Sequence, residues 1–293
     1  MKSKTAKTVY VDTSATATNS KQRQKPHVVY DGERIFKVSR LTKLKSISEV
    51  FIDTLFPEVY NDISRLLKRG VKVYTLKDTR MLKKLRKENN LQKSDETDAQ
   101  LLSMIPREGF RLLTVGELEF KMKMKPLINK YEKIVRWRAT LKKLLSEGFD
   151  YGFRESIRLM QNDANHISRE IIREVAHNNI YREACKLLGV RDSVEVAILT
   201  VELPLHLHMR RLKGLLGFTP NKNEGRYNHR LRKHVAALAV NLYINAKKNA
   251  SISDTVIEIA NHLPKERALY KIQLTILKAL RMAYLLTTNP AGR

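Results

Sequence analysis

The stretch His27-Val28-Val29-Tyr30-Asp31-Gly32-Glu33-Arg34-Ile35-Phe36-Lys37-Val38, HVVYDGERIFKV, sets two β-branched and aromatic runs on either side of Asp31-Gly32. Asp-Gly between such runs is a strong short-range hairpin signal, because glycine accepts the positive φ that a tight turn demands. Upstream, Thr8-Val9-Tyr10-Val11-Asp12 is a third run of this kind and ends on an acid. Three consecutive antiparallel strands are therefore expected. Downstream, Val50-Phe51-Ile52-Asp53 is another apolar run that ends on an acid. Pro57 then opens a helical pattern with Val59, Ile63, Leu66 and Leu67, closed by Gly70. Val71 to Leu76 alternates as a strand does, and Thr79 to Asn90, TRMLKKLRKENN, reads as a basic helix.

The resulting order is strand, strand, strand, helix, strand, helix, strand, helix, which is the element order of the ribonuclease H-like fold. After Lys93 to Leu102, KSDETDAQLL, strand signals fade. Glu117 to Leu145 and Phe153 to Leu188 read as two long helices, a protruding hairpin or coiled coil. The first is densely basic, as expected of a strut along nucleic acid or of a solvated face. Leu187-Leu188-Gly189-Val190 before Val194 to Leu199 reads as a tight glycine turn between short helices. The C-terminal stretch Ile252 to Leu286 reads as two amphipathic helices. The expected class is α/β plus all-α: a ribonuclease H-like domain over 1–112, a helical coiled-coil spacer over 113–186 and a helical DNA-binding domain over 187–293.

Charge bounds the partner. The 293 residues hold 56 Lys and Arg against 30 Asp and Glu, a formal charge of +26. Such an excess draws polyanions, since neutralising phosphates releases condensed counterions. Between His206 and Lys233 eight basic residues face one acid, Glu224. Arg210, Arg211, Lys213, Arg226, Arg230 and Arg232 are the expected phosphate contacts. The single cysteine, Cys185, excludes an internal disulfide framework and a cysteine-rich zinc module. No signal core or membrane-length apolar run is present, so an intracellular, cytoplasmic and DNA-associated protein is expected.

Four acids stand out as candidate catalytic residues and metal ligands: Asp12, Asp53, Asp95 and Asp98. In a ribonuclease H-like sheet the first and fourth strands are neighbours, which brings Asp12 and Asp53 together. Asp95 and Asp98 share a helix face at i and i+3. Asp98 also lies on the apolar stripe of Leu101, Leu102 and Ile105, where a lone carboxylate would cost several kcal/mol. Mg²⁺ (or Mn²⁺), which takes hard oxygen ligands, is the expected counter-charge. Blander readings exist: Asp95 as a helix N-cap, Asp98 as a first-turn acid favoured by the helix dipole, and Asp12 as a turn residue. Glu58 competes with Asp53 for the second acid.

Together VYVDTS, an acid after VFI, KRGVKVYTL and the KSDETDA piece resemble the RuvC-like domain of DEDD-type insertion-sequence transposases, relatives of pilin-gene inverting recombinases. LLGVRDSVEVAIL and RRLKGLLGFTP resemble later parts of that family. The resemblance implies DNA as partner, a bridge RNA as guide in the insertion-sequence members, a homo-oligomer (dimer or tetramer) and Mg²⁺-dependent strand cleavage or exchange. It assigns Asp12, Asp95 and Asp98 to the first and last two acids of the tetrad, with Asp53 where the family usually has glutamate. The family's nucleophilic loop serine has no counterpart, because no serine lies between Thr219 and His234. Its serine chemistry is therefore expected to be lost, and a non-catalytic nucleic-acid binder that keeps the fold is the competing expectation.

Overall fold

The computed structural model describes residues 7–15, 25–219, 227–248 and 252–288. The chain divides into two compact units, Met1–Lys123 and Met124–Arg293.

The first unit is built on a six-stranded mixed sheet in the order β3-β2-β1-β4-β5-β6. Its strands are β1 (Lys7–Asp12), β2 (His27–Tyr30), β3 (Ile35–Val38), β4 (Ile47–Ile52), β5 (Lys72–Leu76) and β6 (Phe110–Leu113). The hairpin forms as expected, with Gly32 at φ +95° and Asp31 accepting from the backbone N–H groups of Glu33 and Arg34 at 3.2 and 3.0 Å. Such an Asx turn satisfies the donors that the reversal exposes. β1 and β4 are parallel neighbours, with Val11 opposite Ile52, and the Asp53 N–H donates to the Val11 carbonyl. Two parallel strands end on the same side of a sheet, so Asp12 and Asp53 emerge together.

Helix α1 (Tyr60–Lys68) buries Ile63 and Leu66 in a core with Val9, Val11, Val50, Ile52 and Val73. The other sheet face carries a ladder of rings, Tyr10 on Phe51 at 5.3 Å and Phe51 on Tyr74 at 4.6 Å. Helices α2 (Arg80–Glu88) and α3 (Asp95–Ser103) cover that face through Leu82, Leu101 and Leu102. Where a helix is expected between the third and fourth strands there is a single 3-10 turn, Leu41–Lys43. β6 was unexpected, since strand signals fade after KSDETDAQLL. Its four residues include Arg111 and pair antiparallel with β5 alone, so an edge position removes the two-sided apolar requirement that would mark it.

Helix α4 (Val115–Ser146) passes through Pro126. The second unit is helical: α5 (Phe153–Val175), α6 (Asn179–Leu188), α7 (Val194–Glu202), α8 (Met209–Leu215), α9 (His229–Lys247), α10 (Asp254–His262) and α11 (Lys265–Thr288). The expected single helix over Phe153 to Leu188 is broken, because the Asn178 side chain accepts from the N–H groups of Ile180 and Tyr181 and starts α6 anew. The glycine turn stands where expected. Gly189 has φ +66°, and a Cβ there would lie 2.6 Å from the Ser253 nitrogen, so no other residue fits without moving backbone. α11 packs against α6 and α9 and buries Ala268, Ile272, Ile276, Ala279 and Ala283, alanines being small enough to permit close helix approach. Among the described residues no helix is long and apolar enough to cross a membrane.

Candidate metal and nucleic-acid site

All four aspartates line one cleft of about 590 Å³ in the first unit. Asp12 ends β1 and Asp53 follows β4. Thr13, itself buried, fixes Asp53: its N–H and its hydroxyl each lie 2.8 Å from Oδ1. The adjoining loop is held by Ser14, whose N–H donates to His27 Nδ1 at 3.0 Å, and burial lowers the His27 pKa so that this nitrogen stays an acceptor. Glu58 is exposed and does not line the cleft, so Asp53 is the acid that joins Asp12.

Asp95 and Asp98 come from the first turn of α3, which packs on β1 and β2. The N-cap is Ser94, not Asp95: the Ser94 Oγ accepts from the Thr97 N–H at 3.0 Å. Both aspartates therefore have their carboxylates free of capping work, although the helix dipole favours them. Asp98 is 6% exposed and pairs with Arg86 of α2, while Asp95 pairs with Lys25. The Asp12 carboxylate has neither a hydrogen bond nor an ion pair to any described residue. Burial, then the charges of Asp53, Asp95 and Asp98, push its pKa up to about 8, against the opposing pull of Lys25. Four carboxylates thus share one field, and the least compensated of them holds a proton near neutrality.

Cations line the same cleft. Arg80, Lys83 and Lys93 join Lys25 and Arg86. Arg80 is held by Asp78, whereas Lys83 and Lys93 have no ion pair among the described residues. Sequence reasoning did not single out Thr13, Lys25 or Arg86. Arg86 carried a usable signal, since it lies four residues after Leu82 on the covered side of α2. Among the described residues no three Asp, Glu, His or Cys side chains stand in an arrangement that would hold a metal ion as placed; Arg86 and Lys25 occupy two of the four carboxylates.

The expected phosphate contacts lie in the second unit and differ among themselves. Arg210, Arg211 and Lys213 sit on α8 without ion-pair partners among the described residues, and Arg210 is exposed. Arg226 lies outside the described residues. Arg230 donates to Glu132 at 2.8 Å and to Glu202 at 3.1 Å. Arg232 lies 3.8 Å over the Phe218 ring and donates to the Leu216 carbonyl. Both guanidinium groups thus have partners within the protein. Tyr227, one of two hydroxyls near the loop without serine, packs on Gly217, whose added Cβ would lie 2.8 Å from the ring.

No protein-family model matches the sequence, and no curated protein matches it.

Proposed function

We propose that this chain acts on nucleic-acid strands as a transposase- or recombinase-like protein, with a ribonuclease H-like first unit whose aspartates take Mg²⁺ or Mn²⁺. The observation that carries the reading is the convergence of Asp12, Asp53, Asp95 and Asp98 on one cleft, where the Asp12 carboxylate has no ion-pair partner among the described residues and the other three acids outweigh the pull of Lys25. The strand order β3-β2-β1-β4-β5, with parallel β1-β4 and β4-β5 pairs, supports the fold assignment. The donor set is four carboxylates beside the Thr13 hydroxyl, all hard oxygen, and it fits such an ion once Arg86 and Lys25 release Asp98 and Asp95. A divalent ion held there supplies Lewis-acid polarisation of a phosphodiester and a more acidic water.

The chain's own residues divide the remaining work. Thr13 orients Asp53 through two contacts to one oxygen. Asp12, its pKa raised to about 8 by burial and the neighbouring carboxylates, would release its proton to solvent water on taking a cation. Lys83 and Lys93 on the cleft wall draw the phosphate backbone toward the acids. The overall charge of +26 supports a polyanionic partner.

A second reading, a non-catalytic binder, is favoured by the pairing of Arg86 with Asp98 and of Lys25 with Asp95, which neutralises half the acids internally. Incubation with linear and branched DNA in Mg²⁺ or Mn²⁺ separates the two. Strand cleavage by wild type that disappears in Asp12→Asn and Asp98→Asn supports the enzyme. Salt-sensitive binding without cleavage in any metal, equal in wild type and variants, supports the binder.

A further inference from the structure

The second unit carries a charged surface of its own, on the exposed side of α4. From Lys121 to Ser146 the sequence has nine basic residues and a single acid, Glu132. That acid is spent internally, on Arg230 at 2.8 Å and on His234 at 2.9 Å. The neighbouring helix α5 has four Arg against four acids, Glu155, Asp163, Glu170 and Glu174, and pairs Arg158 with Glu155 on its surface. Balanced signs at helical spacing are what solubility alone calls for. The one-signed face of α4 stores like-charge repulsion that an anion would relieve.

Several of the nine are engaged: Lys125 with Glu202, Arg138 with Gln161 and Lys143 with Glu147. Lys130, Lys133 and Arg136 are exposed and have no ion pair among the described residues. They lie on one side of the helix with Trp137, which is the only tryptophan of the chain and is 55% exposed. Lys133 precedes Trp137 by one turn, about 6 Å along the axis, and Lys130 by about two. An uncovered indole among unpaired cations is the pairing of features by which proteins hold unpaired strands: bases stack on the ring and phosphates meet the ammonium and guanidinium groups. A duplex hides its base faces and leaves the indole without a stacking partner.

We propose that the outer face of α4 centred on Trp137 binds an unpaired nucleic-acid strand, one base stacking on the indole and its phosphates held by Lys130, Lys133 and Arg136. The site does not depend on the reading of the acid cleft. Its occupancy is directly readable, because all tryptophan emission comes from this residue.

The full chain is titrated with a single-stranded DNA oligonucleotide, a single-stranded RNA of the same sequence and the corresponding DNA duplex. Saturable quenching by either single strand, well beyond that by duplex at equal phosphate, is expected, and the stronger strand identifies the sugar. Binding of a labelled strand followed by anisotropy is expected to weaken roughly 5- to 100-fold in Trp137→Leu, as loss of one base stack implies, and less in Trp137→Phe. The pair Lys130→Gln and Lys133→Gln is expected to flatten the salt dependence by about 1.4 in log–log slope, two phosphate contacts on a single strand. All four side chains are exposed, so circular dichroism is expected to be unchanged. Equal quenching by strand and duplex, or undiminished binding by Trp137→Leu, would overturn the proposal. So would an emission shift that depends on protein concentration without nucleic acid, which would make this face a contact between two copies.

Discussion

The protein concentrates charge in two places, and the two are built on opposite plans. In the second unit, Glu132 accepts from Arg230 and meets His234, while Glu202 accepts from Lys125 at 3.0 Å and from Arg230 at 3.1 Å. Burial would raise the pKa of both glutamates, yet the hydrogen bonds they make with Arg230, Lys125 and His234 outweigh it and the net shift is downward. In the first unit Asp12 is likewise removed from water but meets three more carboxylates, and its pKa rises to about 8. The network is closed on itself and ties helices together. The cleft holds cations too, but they pair with Asp95 and Asp98 or stand apart and leave the Asp12 carboxylate without a direct partner, the arrangement expected of a site kept open for a ligand at some expense of stability.

This contrast sets the sign of each perturbation. Arg230→Ala strips Glu132 and Glu202 of a shared partner in a half-buried setting, and a loss of about 3 kcal/mol is expected in chemical denaturation. A loss under about 0.5 kcal/mol would make the network a surface feature like any exposed ion pair and dissolve the comparison.

Asp12→Asn is expected to act in the other direction and more weakly. The folded-state pKa of Asp12 is raised from 3.8 to about 8, so the native protein holds a proton that the unfolded chain has released across that window. Stability therefore falls as pH rises from about 4 to about 8, and the full penalty is present above it. Asn cannot ionise, so the variant is expected to be more stable at pH 8.5 without divalent metal by about 2 kcal/mol, discounted for partial solvent exposure, and about equal to wild type near pH 4. Denaturant midpoints across that range check both the sign and the window. A variant less stable than wild type at pH 8.5 would place Asp12 with the structural acids.

Legibility in the sequence followed the range of the interactions. The Asp31-Gly32 hairpin was readable because its turn is solved locally by Gly32 and the Asp31 side chain. Asp12 and Asp53 were readable because each ends an apolar run, and a parallel β1-β4 pair puts such ends side by side. β6 was not, since its only reason to be extended is the distant β5. The break before α6 hinges on one capping side chain, Asn178, inside an otherwise continuous helical pattern. In the cleft the acids stood out by placement on apolar runs and stripes, whereas Thr13, Lys25 and Arg86 matter through what they touch across the fold. Arg230 and Arg232 read as surface cations in a basic stretch; that they meet Glu132, Glu202 and Phe218 depends on packing that no local pattern records.

The central claim is that the four-aspartate cleft is a cation site, and titration of Mn²⁺ into the full-length protein by calorimetry at pH 8 tests it most directly. The account predicts saturable binding that is lost in both Asp12→Asn and Asp98→Asn, two residues on different elements that share only this cleft. Binding undiminished in both variants, or no saturable binding by wild type, would contradict it.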